Sequence, residues 1–217
     1  MTLLCGIDEA GRGPVIGPLV TAGIVIDKKD EAKLKKMGVK DSKLLVPKKR
    51  EELFEKILKI AKKHEIVVLE PRDIDAALMD PDTNLNWLEA DTTAEIINKL
   101  TPEKAIIDCP SNNIEDYSDY IKKKLNVDCE LVAEHKADLN HPVVGAASIL
   151  AKVTRDRMIQ EIKKQVGQDI GSGYPSDPAT QRFISENYNK HPKIFRKTWQ
   201  TYKDVVAKKQ QKGLNEF

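Results

Sequence analysis

Short apolar runs alternate along the chain with longer stretches in which apolar residues recur every three to four positions, the pattern of strands interleaved with helices. Residues 3–7 and 19–26 read as two strands. Gly11-Arg12-Gly13-Pro14 between them reads as a tight turn, because glycine accepts the positive φ that a reversal needs. Pro47 opens a helix to about residue 63, with Leu53, Phe54, Ile57, Leu58 and Ala61 on one face. Residues 66–69 form a strand closed by Pro71, residues 85–100 a helix stopped at Thr101-Pro102, and residues 105–108 a short buried strand. A helix near 115–125, a strand at 129–133 and a long helix from Pro142 to about 165 follow. A polar loop, 167–178, precedes helices at 179–188 and 199–209.

This alternation predicts an α/β fold: a mixed sheet, antiparallel in its first strands and parallel in its later ones, flanked by helices. Residues 1–170 are expected to form the core and 171–217 a small C-terminal helical appendage. The 217 residues suit one domain or one and a half, and 40% apolar residues exclude intrinsic disorder. No apolar run reaches the roughly 20 residues of a membrane helix, and residues 1–5 lack the features of a signal peptide. A soluble, cytoplasmic protein with no membrane partner is expected, with a monomer as the default state. Cys5, Cys109 and Cys129 are far apart with no C-x-x-C spacing, and His64, His135, His141 and His191 are scattered. Disulfide and zinc chemistry are therefore not indicated.

Charge is nearly balanced, 36 Lys+Arg against 34 Asp+Glu, but unevenly placed. Residues 190–212 hold Lys190, Lys193, Arg196, Lys197, Lys203, Lys208, Lys209 and Lys212 against Asp204 alone, leaving the rest of the chain net acidic. Such a division suits a protein that grips a polyanion in one place and holds cations in another. A solvated lysine-rich helix end would look the same.

The acids that stand out are those in unfavourable places. Asp8-Glu9 ends an apolar strand, and Asp108 follows Ala105-Ile106-Ile107; aspartate is disfavoured in strands, and a carboxylate beside a core needs a partner or a cation. Asp138 lies four residues before Pro142, at the mouth of a helix whose first turn is small. Four carboxylates from three separated segments form the oxygen-rich set that hard divalent cations prefer. The plain alternative leaves Asp8 capping the turn, Asp108 salt-bridged and Asp138 capping a helix.

Several blocks carry a family resemblance: Asp8-Glu9-Ala10-Gly11-Arg12-Gly13-Pro14 with Gly17-Pro18-Leu19-Val20, Asp41-Ser42-Lys43, Asp108, and His135-Lys136-Ala137-Asp138. Ala146-Ala147-Ser148-Ile149-Leu150-Ala151-Lys152-Val153, Arg155-Asp156 and Gly171-Ser172-Gly173-Tyr174-Pro175-Ser176-Asp177 continue it. In order and over almost the whole chain they resemble ribonuclease HII, the archaeal form most closely.

The resemblance implies a ribonuclease H-like fold and an endonuclease. It would cut the RNA strand of RNA/DNA hybrids and cut 5′ of single ribonucleotides embedded in duplex DNA, leaving 5′-phosphate and 3′-hydroxyl ends. Asp8, Glu9, Asp108 and Asp138 would be the catalytic carboxylates, holding two divalent ions, Mg²⁺ or Mn²⁺. Gly11, Arg12 and Gly13 would approach the 2′-hydroxyl of the target ribonucleotide, and Tyr174 would read it from the other side. Ser42, Lys43, Lys136, Lys152 and Arg155 would contact phosphates, as would the basic stretch around Arg196-Lys197-Thr198-Trp199. The last residues resemble the short peptide by which replication and repair enzymes bind the sliding clamp, with Gln211, Leu214 and Phe217 three apart so that a 3₁₀ turn would align them. A type 1 ribonuclease H, a junction resolvase and a non-catalytic nucleic-acid binding module are the competing readings.

Overall fold

The computed structural model describes residues 2–39 and 45–214, with side chains through Gln211. Ser42, Lys43 and Phe217, and the side chain of Leu214, lie outside the described residues. Five strands, β1 (Leu3–Ala10), β2 (Leu19–Asp27), β3 (Lys63–Leu69), β4 (Lys104–Asp108) and β5 (Glu130–Glu134), form one sheet in the order β3-β2-β1-β4-β5. β1 runs antiparallel to β2, from Leu3 opposite Asp27 to Ala10 opposite Val20, and β1, β4 and β5 are parallel. The expected mixed sheet is therefore present. The link between β1 and β2 is an eight-residue loop, residues 11–18, and not the tight turn its glycines suggested.

The helices are α1 (Glu31–Met37), α2 (Pro47–Ile60), α3 (Pro71–Leu78), α4 (Leu85–Leu100), α5 (Ile114–Lys124), α6 (Ala137–Asn140), α7 (Pro142–Val166), α8 (Pro178–Asn187) and α9 (Gln200–Leu214). Pro71, read from the sequence as a strand stop, instead occupies the first turn of α3, where its missing N–H costs nothing. α1 escapes periodicity because it is one short, lysine-rich segment, ended by Gly38 in the left-handed conformation at φ 73°. No described helix is long and apolar enough to cross a membrane.

The chain groups into two compact units. The first comprises Met1–Ala10, Val20–Val68 and Leu85–Thr154, and the second Gly11–Leu19, Leu69–Asn84 and Arg155–Phe217. In the first, strand alternation sorts the side chains onto two faces. Cys5 and Ile7 of β1 and Ala105 and Ile107 of β4 pack with Ala94, Ile97 and Leu100 of α4 and Tyr117 and Ile121 of α5. On the opposite face Gly6 meets the backbone of Val143 and Val144 in α7 so closely that a β-carbon there would collide with main chain. Gly6 thus lets α7 lie directly on the sheet, and the even-numbered residues, Asp8 among them, share its side. The second unit has its own apolar centre of Val15, Ile16, Ile159, Ile170, Phe183, Ile184 and Phe195, with Ile16 and Phe195 joined by an antiparallel bridge.

Candidate active site

Parallel pairing places Ile7 opposite Ile107, so Asp8 and Asp108, one residue further along each strand, end up side by side. Adjacent strands are about 4.8 Å apart, which brings two such carboxylates within reach of one cation. The third comes from the connection after β5. Lys136 adopts a left-handed conformation at φ 58°, reversing the chain into α6, and the Ala137 N–H donates to Asp108 Oδ1 at 2.9 Å. That bond seats α6 beside β4 and with it Asp138. Carboxylate oxygens of Asp8, Asp108 and Asp138 all lie within 4.8 Å of one another.

Asp8 and Asp138 are buried and Asp108 is half-buried. Burial pushes the Asp8 carboxyl well above the usual carboxylate range, and the charges of Glu9 and Asp108 push it further. Hydrogen bonds from the Ser148 hydroxyl and the Glu9 N–H, the latter at 2.7 Å, act in the opposite direction without cancelling the effect. Three acids crowded into a poorly solvated site are a mutually repulsive set, which a divalent cation would relieve. The donor set thus fits such an ion. Glu9 is half-buried and close enough to act on Asp8 through its charge, but it is not one of the three that share the 4.8 Å cluster.

The surrounding contacts hold the ligand-bearing segments in place. The Cys109 N–H donates to the Glu134 carbonyl at 2.9 Å, His135 Nδ1 lies 3.0 Å from the Cys109 carbonyl, and His141 Nε2 pairs with Glu134 Oε2 at 3.0 Å. Ser148 had no role assigned from sequence; a serine among alanines in a buried helix face was the available signal. Lys152 is half-buried one helical turn beyond Ser148 on the same face of α7, and Lys136 is exposed.

The second unit gathers the other group of predicted residues around the 11–18 loop. Gly11, at φ 92°, lies so tightly against the Arg155 side chain that any β-carbon would clash with it. The Tyr174 ring, 39% exposed, faces Gly13 so that a β-carbon there would lie 3.6 Å from it, with the Arg155 guanidinium 5.6 Å from the ring centre. Gly11, Gly13, Arg155 and Tyr174 are therefore one assembly.

Two residues expected at phosphates lie inside the second unit. Arg155 is 2% exposed, and its Nη2 lies 3.4 Å from the Ile16 carbonyl. Arg196, expected to contact phosphates with its neighbours, is fully buried. Its Nε donates to the Gly17 carbonyl at 2.9 Å, Nη1 to Arg12 at 3.0 Å and Nη2 to Gly11 at 2.6 Å. Asp75, also unforeseen, accepts from the N–H groups of Lys197 and Thr198 at 2.8 and 2.9 Å and from the Thr198 hydroxyl at 2.6 Å. Charge counting could not separate these buried groups from the exposed lysines beside them.

The ribonuclease HII family model matches residues 5–202. The chain is similar to ribonuclease HII of Pyrococcus furiosus, 46% identical over 221 residues that cover 98% of this chain and 96% of that protein. Among solved structures it is similar to ribonuclease H2 from Pyrococcus horikoshii OT3, with a TM-score of 0.88, 40% identity and coverage of 95% of this chain and 98% of that one. It is likewise similar to the ribonuclease in the PCNA:RNase HII complex from Archaeoglobus fulgidus, with a TM-score of 0.83, 42% identity and coverage of 91% and 95%.

Proposed function

The chain belongs to the ribonuclease HII family and is a ribonuclease H endonuclease, and from that premise we propose that it cuts the RNA strand of RNA/DNA hybrids and cuts 5′ of single ribonucleotides embedded in duplex DNA. The products carry 5′-phosphate and 3′-hydroxyl ends. The observation that carries the reading is the Asp8, Asp108 and Asp138 cluster, whose oxygens fall within 4.8 Å of one another where the paired strands β1 and β4 meet α6. With Glu9 beside them, these residues hold two divalent ions, Mg²⁺ or Mn²⁺. The chemistry such ions supply is activation of a water molecule and stabilisation of the leaving oxygen.

The chain's own residues do the rest. Ser148 and the Glu9 N–H orient the Asp8 carboxylate, and Ala137 orients Asp108. Gly11, Arg12 and Gly13 bring backbone close to the target ribose, where the absence of side-chain bulk at the two glycines permits contact with the 2′-hydroxyl, the group that separates RNA from DNA. Tyr174 addresses the same sugar, and Ser42, Lys43, Lys136 and Lys152 contact phosphates. Arg155 serves this reading from beneath, by supporting Gly11 and Tyr174. Intact acids weigh against a pure nucleic-acid binder, because clustered carboxylates repel phosphates unless a cation lies between them. The relative from Archaeoglobus fulgidus forms a complex with PCNA, which supports a sliding clamp as partner; the contact proposed for this chain is Gln211, Leu214 and Phe217.

The deciding experiment is cleavage of a DNA duplex bearing one ribonucleotide, with and without Mg²⁺. A single Mg²⁺-dependent cut 5′ of the ribonucleotide is expected. Cleavage confined to long hybrids would favour type 1 activity, and no cleavage of either substrate would overturn the proposal.

A further inference from the structure

We infer that Arg196, with Trp199, is a positioning residue that fixes the backbone of Gly11, Arg12 and Gly13 in the orientation from which that loop discriminates ribose. The inference rests on the reading that this loop addresses the 2′-hydroxyl.

Three of the Arg196 donors are spent on one loop: the carbonyls of Gly11, Arg12 and Gly17. The Trp199 indole Nε1 donates to the remaining carbonyl of the triplet, Gly13, at 3.1 Å. All three carbonyls of Gly11, Arg12 and Gly13 are thus drawn toward residues 196 and 199. A trans peptide unit is planar with its N–H directed opposite its C=O. The N–H groups of Arg12 and Gly13 share peptide planes with the Gly11 and Arg12 carbonyls, so both face away from Arg196. Pro14 contributes no N–H, and the loop therefore presents these two consecutive donors on the side opposite its clamp. A 2′-hydroxyl is an acceptor as well as a donor.

The clamp is itself held on every side. The Arg196 N–H donates to the Val15 carbonyl at 2.9 Å, the guanidinium lies 4.8 Å from the centre of the Trp199 ring, and Asp75 ties down the next two residues. Arginine suits the task because its rigid planar fork reaches several carbonyls at once, which a lysine ammonium on a flexible stem does not. Burial and the nearby charge of Arg155 bring the Arg196 guanidinium down to about 9, so it remains charged at neutral pH. Three carbonyl oxygens accept the hydrogen bonds of its guanidinium.

The test uses Trp199→Phe, which keeps the ring and removes one donor, alongside Arg196→Lys, which keeps the charge and removes the fork. Each full-length variant is assayed in single-turnover cleavage of a duplex bearing one ribonucleotide and of the same duplex with 2′-fluoro-2′-deoxyribose at that position. The expected result is a fall of about tenfold or more on ribose, with little change on the fluoro substrate, so that the ratio between them shrinks. The salt dependence of binding is expected to stay as in the parent, because Arg196 is fully buried. An equal loss on both substrates would indicate a general structural lesion, and a salt slope reduced by about one would indicate a phosphate contact; either overturns the inference, as does unchanged cleavage of ribose by both variants. If Arg196→Lys does not fold, Trp199→Phe decides alone. Should the parent cut the fluoro duplex as readily as the ribose one, the ribose reading itself fails, an outcome distinct from a parent that discriminates and variants that do so equally well.

Discussion

The N–H of Ala137 donates to Asp108 Oδ1 at 2.9 Å, so one carboxylate both joins the acidic cluster and seats the helix that carries Asp138. Two substitutions separate these roles. Asp108→Asn keeps an oxygen to accept the Ala137 bond and loses the charge a cation needs; cleavage should fall at least 100-fold while the metal-free fold persists. Relief of repulsion with Asp8 should leave its melting temperature equal to or above the parent's. Asp108→Ala also orphans the Ala137 N–H and should lose about 1–3 kcal/mol of stability in denaturant titration. Substantial cleavage by Asp108→Asn at saturating Mg²⁺ would remove Asp108 from the ligand set.

How far the sequence foretold this site depended on whether the cause was local. Asp8 and Asp108 stood out in the sequence because an acid at the end of an apolar run is chemically odd, although β1 itself continues past Asp8 to Ala10. That the two strands are neighbours was not, since parallel pairing is decided by helices packed far away in sequence, and Gly6 shows its purpose only once α7 lies against it. Arg155 and Arg196 misled for the same reason. Their burial depends on loop carbonyls some 140 to 185 positions earlier, and nothing in their immediate neighbours distinguishes them from solvated lysines. Pro71 shows the opposite limit: a local signal can be read correctly as a boundary and still be assigned to the wrong side of it.

Asp177 offers a pH test. Its carboxylate accepts from Ser172 N–H at 2.6 Å and Ala179 N–H at 2.9 Å, capping α8 and closing the turn that precedes Tyr174; these bonds bring it down to about 2. A folded-state value below the unfolded one, about 3.9, means that the contribution is complete above pH ~4 and disappears as pH falls through ~2. Asp177→Asn should therefore lower the melting temperature at neutral pH and flatten its pH dependence between 4 and 2. Parallel melting curves for parent and variant across that window would show that the charge on Asp177 does not matter.

Tyr174 separates packing from recognition. Tyr174→Phe keeps the ring against Gly13 and over Arg155, so stability should hardly change. If the hydroxyl meets the sugar, single-turnover cleavage should fall by a factor corresponding to about 1–3 kcal/mol, and Tyr174→Ala should fall further. Parental rates for Tyr174→Ala would reduce Tyr174 to a packing residue.

The chain's end is where enzyme and tether can be parted. α9 runs Gln200–Leu214, so Gln211 is helical and exposed; residues 215–217, which the expected 3₁₀ alignment also needs, lie outside the described residues. Of α9, Tyr202 and Val205 pack on the apolar centre of the second unit, and both precede Gln211. Removing residues 211–217 should then leave the fold's packing untouched. It should also leave cleavage of a short oligonucleotide duplex at the parental rate, because no residue placed in the cleavage site is lost. Clamp binding, measured by calorimetry with the purified clamp, should disappear. On a long duplex loaded with clamp the shortened enzyme should lose the advantage the parent gains, since a tether raises local concentration without improving either binding site. Equal clamp affinity for full and shortened chains would show that Gln211, Leu214 and Phe217 are not the contact.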